Sequence, residues 1–180
     1  MRLAWTGLFL SLAIGSASAA APAQIDRWFQ DLAKADSADD AKPIEDKIDA
    51  AFRESGSASV DLLMTRAKQA VASADRKTAG ALVGAVTKLA PNYAEGWRLR
   101  ATLDAAAGND SAAMIALQRV VTINPRHFSA MTDLAGMLED YGDKKAALAL
   151  YRKVLTLDPH HEAAATRVRA LEREVEGQGI

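Results

Sequence analysis

Few side chains in this sequence could do chemistry, and they are scattered. His127, His160 and His161 are the only histidines among 180 residues, and there is no cysteine. An imidazole can ligate a metal or move a proton near neutral pH. A metal site needs three or four converging ligands, and no such set accompanies these histidines. H-E-x-x-H, G-x-S-x-G and a glycine-rich phosphate loop are all missing. Lack of cysteine excludes disulfides, thiolate nucleophiles and c-type haem attachment. No catalytic residue, metal or cofactor is therefore expected, and the histidines read as surface loop residues. Asn109-Asp110-Ser111 fits the N-glycosylation acceptor pattern, but a turn between helices calls for the same residue types. What remains is recognition chemistry. The Arg98 guanidinium could hold a carboxylate bidentately. Arg100 and Asp104, four residues apart, would face the same way on one helix.

These residues lie in a register that repeats. Pro91, Pro125 and Pro159 stand 34 residues apart. Ala79, Ala113 and Ala147 keep step with them, as do Val86, Val120 and Val154. Leu89, Ile123 and Leu157 precede each proline by two. Ala67, Ala101 and Ala135 each follow a large apolar residue (Leu63, Trp97 or Met131) by four. Such self-similarity marks stacked helix pairs that bury their apolar seams against one another. The units fall at 60–93, 94–127 and 128–161, the first degenerate because its turn lacks glycine. Ala74-Asp75, Gly108-Asn109 and Gly142-Asp143 separate the two helices of each unit, Gly stopping one helix and Asp or Asn capping the next. Each proline closes a second helix, because the residue before it resists the helical region and proline has no N–H to donate.

The ends differ from this register. Residues 1–20 read as a signal peptide: Arg2, an apolar run from Leu3 to Ile14, then the small-x-small pattern Ala17-Ser18-Ala19. The run falls short of the roughly 20 residues that span a bilayer. Without a cysteine for lipid attachment, the mature chain is expected to be periplasmic or secreted, with no stable membrane anchor. Over 21–59, Ile25, Trp28, Phe29 and Leu32 follow helical i, i+3, i+4, i+7 spacing. A second helix follows, with Ser37 or Asp40 as cap, Pro43 in its first turn and a stripe of Ile44, Ile48 and Phe52. This hairpin is expected to cap the first repeat. Residues 162–180 supply a C-terminal capping helix and tail. The fold class is thus all-α, a solenoid with capping helices at both ends. A net charge of −1 gives no bulk field that would favour nucleic acid.

The columns resemble those of the tetratricopeptide repeat (TPR) family. Leu63, Trp97 and Met131 match its large residue at repeat position 4; Ala67, Ala101 and Ala135 its small residue at position 8. Ala79, Ala113 and Ala147 match position 20, Val83, Leu117 and Tyr151 position 24, and the three prolines position 32. Arg66 and Arg100 depart from the usual leucine at position 7; Ala70, Asp104 and Leu138 depart from the usual aromatic residue at position 11. Arg100 and Asp104 either pair, partly buried, between the helices, or the arginine stem snorkels to water and the pair contributes under about 1 kcal/mol.

The resemblance implies an inner groove lined from the first helix of each repeat. Mapped onto this chain, it presents Asp61, Met64, Lys68 and Val71, then Glu95, Arg98, Thr102, Ala105 and Ala106. The third repeat adds Ser129, Thr132, Gly136, Glu139 and Asp140, and the last helix Thr166 and Arg173. Small residues at 105, 106 and 136 leave room for a backbone. The clamp by which some relatives grip a terminal carboxylate is not reproduced: Asp133 and Ala163 replace two of its polar positions. The expected function is a non-enzymatic adaptor that binds a protein or peptide segment, in envelope assembly or maturation. The alternative is an obligate accessory or regulatory subunit of a periplasmic or membrane complex.

Overall fold

The computed structural model describes residues 22–175 and Gly177, so the leader expected at 1–20 lies outside the described residues. Among the described residues there are nine α-helices. Helices α1 (Pro22–Leu32) and α2 (Ala38–Phe52) precede the repeats. The repeats are α3 (Ala58–Ala72) with α4 (Arg76–Leu89), α5 (Ala94–Ala106) with α6 (Asp110–Ile123), and α7 (Phe128–Asp140) with α8 (Lys144–Leu157). Helix α9 (Glu162–Val175) follows. The architecture is an all-helical, TPR-like solenoid flanked by further helices.

The three inner turns are copies of one device. Ala74, Gly108 and Gly142 adopt left-handed φ values of 57°, 76° and 86°. At each, the residue donates its N–H three residues back (to Val71, Ala105 and Glu139), and the following N–H reaches five back (to Ala70, Asp104 and Leu138) at 2.8 Å. This paired bonding satisfies the last carbonyls of the preceding helix. Asp75 and Asp143 then accept from the N–H groups of Thr78 and Ala146, capping the next helix. The first repeat keeps this geometry without glycine, so Ala74 carries its Cβ in a region L-residues disfavour.

The repeated columns form the core. Ala79, Ala113, Ala147, Val86, Val120 and Val154 have no exposed surface. Ala67, Ala101 and Ala135 are buried, as are Val83, Leu117 and Tyr151. Small residues let successive helices close. At Gly96, an added Cβ would sit 2.8 Å from Val86 Cγ1, so α5 approaches α4 closely only because that position has no side chain.

The N-terminal hairpin does not stack on the first repeat as expected. It lies as a strap across the inter-repeat junctions, held at each. At the first, Tyr93 Oη donates to the Arg53 carbonyl at 2.5 Å. At the second, Phe29 meets Phe128 edge-on with ring centres 6.3 Å apart, and the Arg126 guanidinium lies 3.8 Å above the Phe29 ring. Arg126 also pairs with Asp26, and Ser129 donates to Asp49. At the third, His160 Nε2 donates to the Ala35 carbonyl at 2.7 Å. Phe29, Leu32, Ala41 and Ile48 thereby join one apolar cluster with Phe128, Met131, Tyr151 and Leu171. At the second junction Phe128 and its neighbours give the strap's aromatic residues an apolar cluster to join, whereas on the outer flank of α3 the exposed Leu62 is flanked by exposed Arg66 and Gln69.

Candidate functional site

The first helices of the second and third repeats, α5 and α7, leave a hollow between them. Its volume is about 300 Å³, and it is lined by Arg98, Ala101, Thr102, Ala105, Leu117, Asp133 and Met137. Alanine at 101 and 105 strips α5 of bulk there, so the space reaches down to Leu117 on α6. Thr102 spends its hydroxyl proton on the Arg98 carbonyl of its own helix. At the rim, Arg98 Nε lies 3.7 Å from Asp133 Oδ2, close enough for attraction and too far for a hydrogen bond. That Nε is buried and has no hydrogen-bond partner.

Below the rim sits a pair that sequence reasoning placed wrongly. His127 was expected on a surface loop, yet it is 1% exposed. Its Nδ1 accepts from the Ala130 N–H at the start of α7, which leaves the proton on Nε2 to be donated to Glu95 Oε1 at 2.9 Å. Burial alone would raise the Glu95 carboxyl. The bond from His127 and the nearby Arg98 and Lys68 charges outweigh it and hold Glu95 below the usual range. Loss of water raises the Asp133 carboxyl, aided by Glu95 and opposed by Arg98 and His127.

The expected groove residues divide into several groups. Lys68, Thr102, Ala105, Ala106 and Asp140 are exposed, and Arg98, Thr132 and Gly136 are half-buried. Met64 and Glu95 are instead buried, the first among Val60, Val86 and Tyr93, the second on His127. The N-terminal end of the stripe is closed by the strap and its hinge: Ser55 bonds Asp61, and Asp49 takes the Ser129 hydroxyl. Glu139 pairs across to Arg167 of α9. Met137 and Leu117 were missed as lining, and Asp133 entered the sequence reading only as a mismatch. A single helical wheel shows one helix's open side but not which flank of its neighbour completes the wall. Arg100 and Asp104 do pair, Nε to Oδ2 at 2.7 Å, with the arginine 44% exposed and the aspartate 13%.

A second cleft, about 280 Å³, lies where α2 meets the start of α9, lined by Ala38, Asp39, Lys42, Glu45 and residues 160–163. Burial, then the neighbouring Asp158 carboxyl, raises Glu45, with Lys42 opposing. Asp158 is fully buried, and its Oδ2 has no hydrogen-bond partner. Nothing in the sequence joined these two carboxyls, which lie 113 positions apart. Among the described residues, no group of three His, Cys, Asp or Glu side chains could hold a metal, and no helix is long and apolar enough to cross a membrane.

Comparison with known proteins agrees with this geometry. The chain is 33% identical over 128 residues to a TPR repeat-containing protein of Rhizobium etli, covering 71% of this chain and 63% of that protein. No protein-family profile matches the chain. The first TPR of Spaghetti (RPAP3), solved with an HSP90 peptide, superposes with TM-score 0.59 at 14% identity, over 65% of this chain and 93% of that one. The Yersinia enterocolitica type III secretion chaperone SycD, in complex with a peptide of the translocator YopD, gives 0.58 at 15% identity, over 69% and 97%. MamA gives 0.59 at 20% identity, over 78% and 84%. The fold is therefore that of a TPR-like α-solenoid. The chain spans less than two thirds of the length of that Rhizobium etli protein, and its 34-residue columns are similar to those of tetratricopeptide-repeat proteins.

Proposed function

We propose that this chain is an exported adaptor that holds an extended segment of another protein between α5 and α7, in envelope assembly or maturation. The observation that carries the reading is the open hollow with the partly exposed Arg98 guanidinium at its rim, its Nε 3.7 Å from Asp133. A guanidinium carries five N–H donors, more than Asp133 engages, and a bound segment supplies a carbonyl acceptor. Two of the solved relatives by fold hold peptides, which favours the same use here. Export rests on the leader-like residues 1–20. Binding positions are Lys68, Arg98, Thr102, Thr132, Gly136 and Asp140, with Ala105 and Ala106 as the space for the backbone. The test is a photo-crosslinking residue at Thr102, compared with one at Thr122 on the exposed side of α6, in cells of the native host. A discrete crosslinked protein at Thr102 and none at Thr122 supports the reading; equal or absent crosslinking contradicts it.

One observation favours the accessory-subunit reading. Leu62 is 52% exposed, whereas Gly96 and Ala130, its counterparts in the other repeats, are buried. Because the strap lies elsewhere, the outer flank of α3 is left uncovered. A subunit stacked there would bury Leu62, and purified chain alone would then self-associate in light scattering.

A further inference from the structure

Resting on the groove reading above, we infer that the hollow receives one large apolar side chain of an internal partner segment, while Arg98 and Asp133 grip the adjoining peptide unit. The space of about 300 Å³ is at the lower end of ligand pockets and suits one side chain better than a whole small molecule. Its walls are the methyls of Ala101 and Ala105, Leu117, and the flexible Met137, whose thioether adapts to leucine, methionine or phenylalanine.

The rim fits a peptide unit. A backbone amide offers one acceptor and one donor. The Arg98 guanidinium, partly exposed at the rim, has N–H donors to spare, and Asp133, half exposed, is an acceptor 3.7 Å from its Nε. A carbonyl accepting from Arg98 and an N–H donating to Asp133 satisfy both. A terminal carboxylate does not, because Asp133 stands beside the Arg98 guanidinium and Asp140 follows on the same helix. The partner is thus read in mid-chain.

The test is selection from a library of 12-residue peptides with amidated C-termini, followed by fluorescence anisotropy of the selected peptides with the full chain. Selected peptides should share a leucine, isoleucine, methionine or phenylalanine at one register. Ala105→Leu, which fills the hollow from an exposed helical site, should weaken them tenfold or more, and Arg98→Ala by about tenfold. Met137→Ala enlarges the hollow and should shift the preferred residue toward tryptophan, a gain that misfolding does not produce. Asp133→Asn should admit peptides ending in a free carboxylate. Peptides that bind the wild type and Ala105→Leu equally leave the groove reading standing and overturn this inference. A wild-type chain that selects no peptide overturns both.

Discussion

At the scale of single residues, charge position decides what each group can do. Arg100 and Asp104 sit where the family resemblance puts packing residues, yet the guanidinium stays 44% exposed, so water screens the pair. Arg100→Ala is expected to change stability by under about 1 kcal/mol, measured as a small shift in thermal midpoint. Glu45 and Asp158 are the opposite case. A half-buried carboxyl faces a buried one, and a raised folded-state value means the folded chain holds a proton on Glu45 more tightly than the unfolded one. The stabilisation is complete below the unfolded carboxylate range and is lost as pH rises through the folded value. Glu45→Gln supplies a permanent donor to Asp158. Its thermal midpoint should exceed that of the wild type at neutral pH, and the difference should shrink as pH is lowered toward about 4, the ordinary glutamate value. A difference independent of pH contradicts the raised Glu45 carboxyl.

At the scale of elements, the repeats were legible because their determinants are local. Each turn, Ala74-Asp75, Gly108-Asn109 or Gly142-Asp143, lies within a few residues of the helices it joins, and the alanine and valine columns recur at one spacing. Ala74 shows that the turn geometry is set by the stacking of the helix pair and not by glycine alone, since it takes the same left-handed φ. Ala74→Gly should therefore stabilise the chain by roughly 0.5–1 kcal/mol, read from denaturant unfolding. The placement of the strap was not legible. Its amphipathic stripe of Phe29, Leu32 and Ile48 says that one face must be buried, but its cover, Phe128, is 99 positions beyond Phe29. The same distance hid His127: at a junction it reads as loop, and only the strap's Phe52, 5.1 Å from its ring, together with Glu95 encloses it. Four groove positions fell short of the open face for related reasons. Met64 packs into the first repeat, Glu95 onto His127, and the strap and hinge engage Ser129 and Asp61.

At the scale of the whole molecule, the strap ties three repeats and α9 together along one edge and leaves the channel between α5 and α7 open. Removing its anchor should separate the two parts. Phe29→Ala deletes a ring enclosed by Phe52, Phe128 and Arg126, a loss of about 3–5 kcal/mol for a buried phenylalanine. Dilute protease should then cut the 53–57 hinge faster while residues 60–161 stay intact, because strap opening precedes global unfolding. Cleavage spread evenly through the repeats would mean the strap and solenoid unfold as one. The most direct measurement of the groove as the recognition surface is amide hydrogen exchange of the full chain with and without the protein captured at Thr102. The account predicts added protection in α5 near residues 98–105 and in α7 near residues 132–140, with α3's outer flank unchanged. Protection confined to that flank around Leu62, with α5 and α7 unaffected, would contradict it.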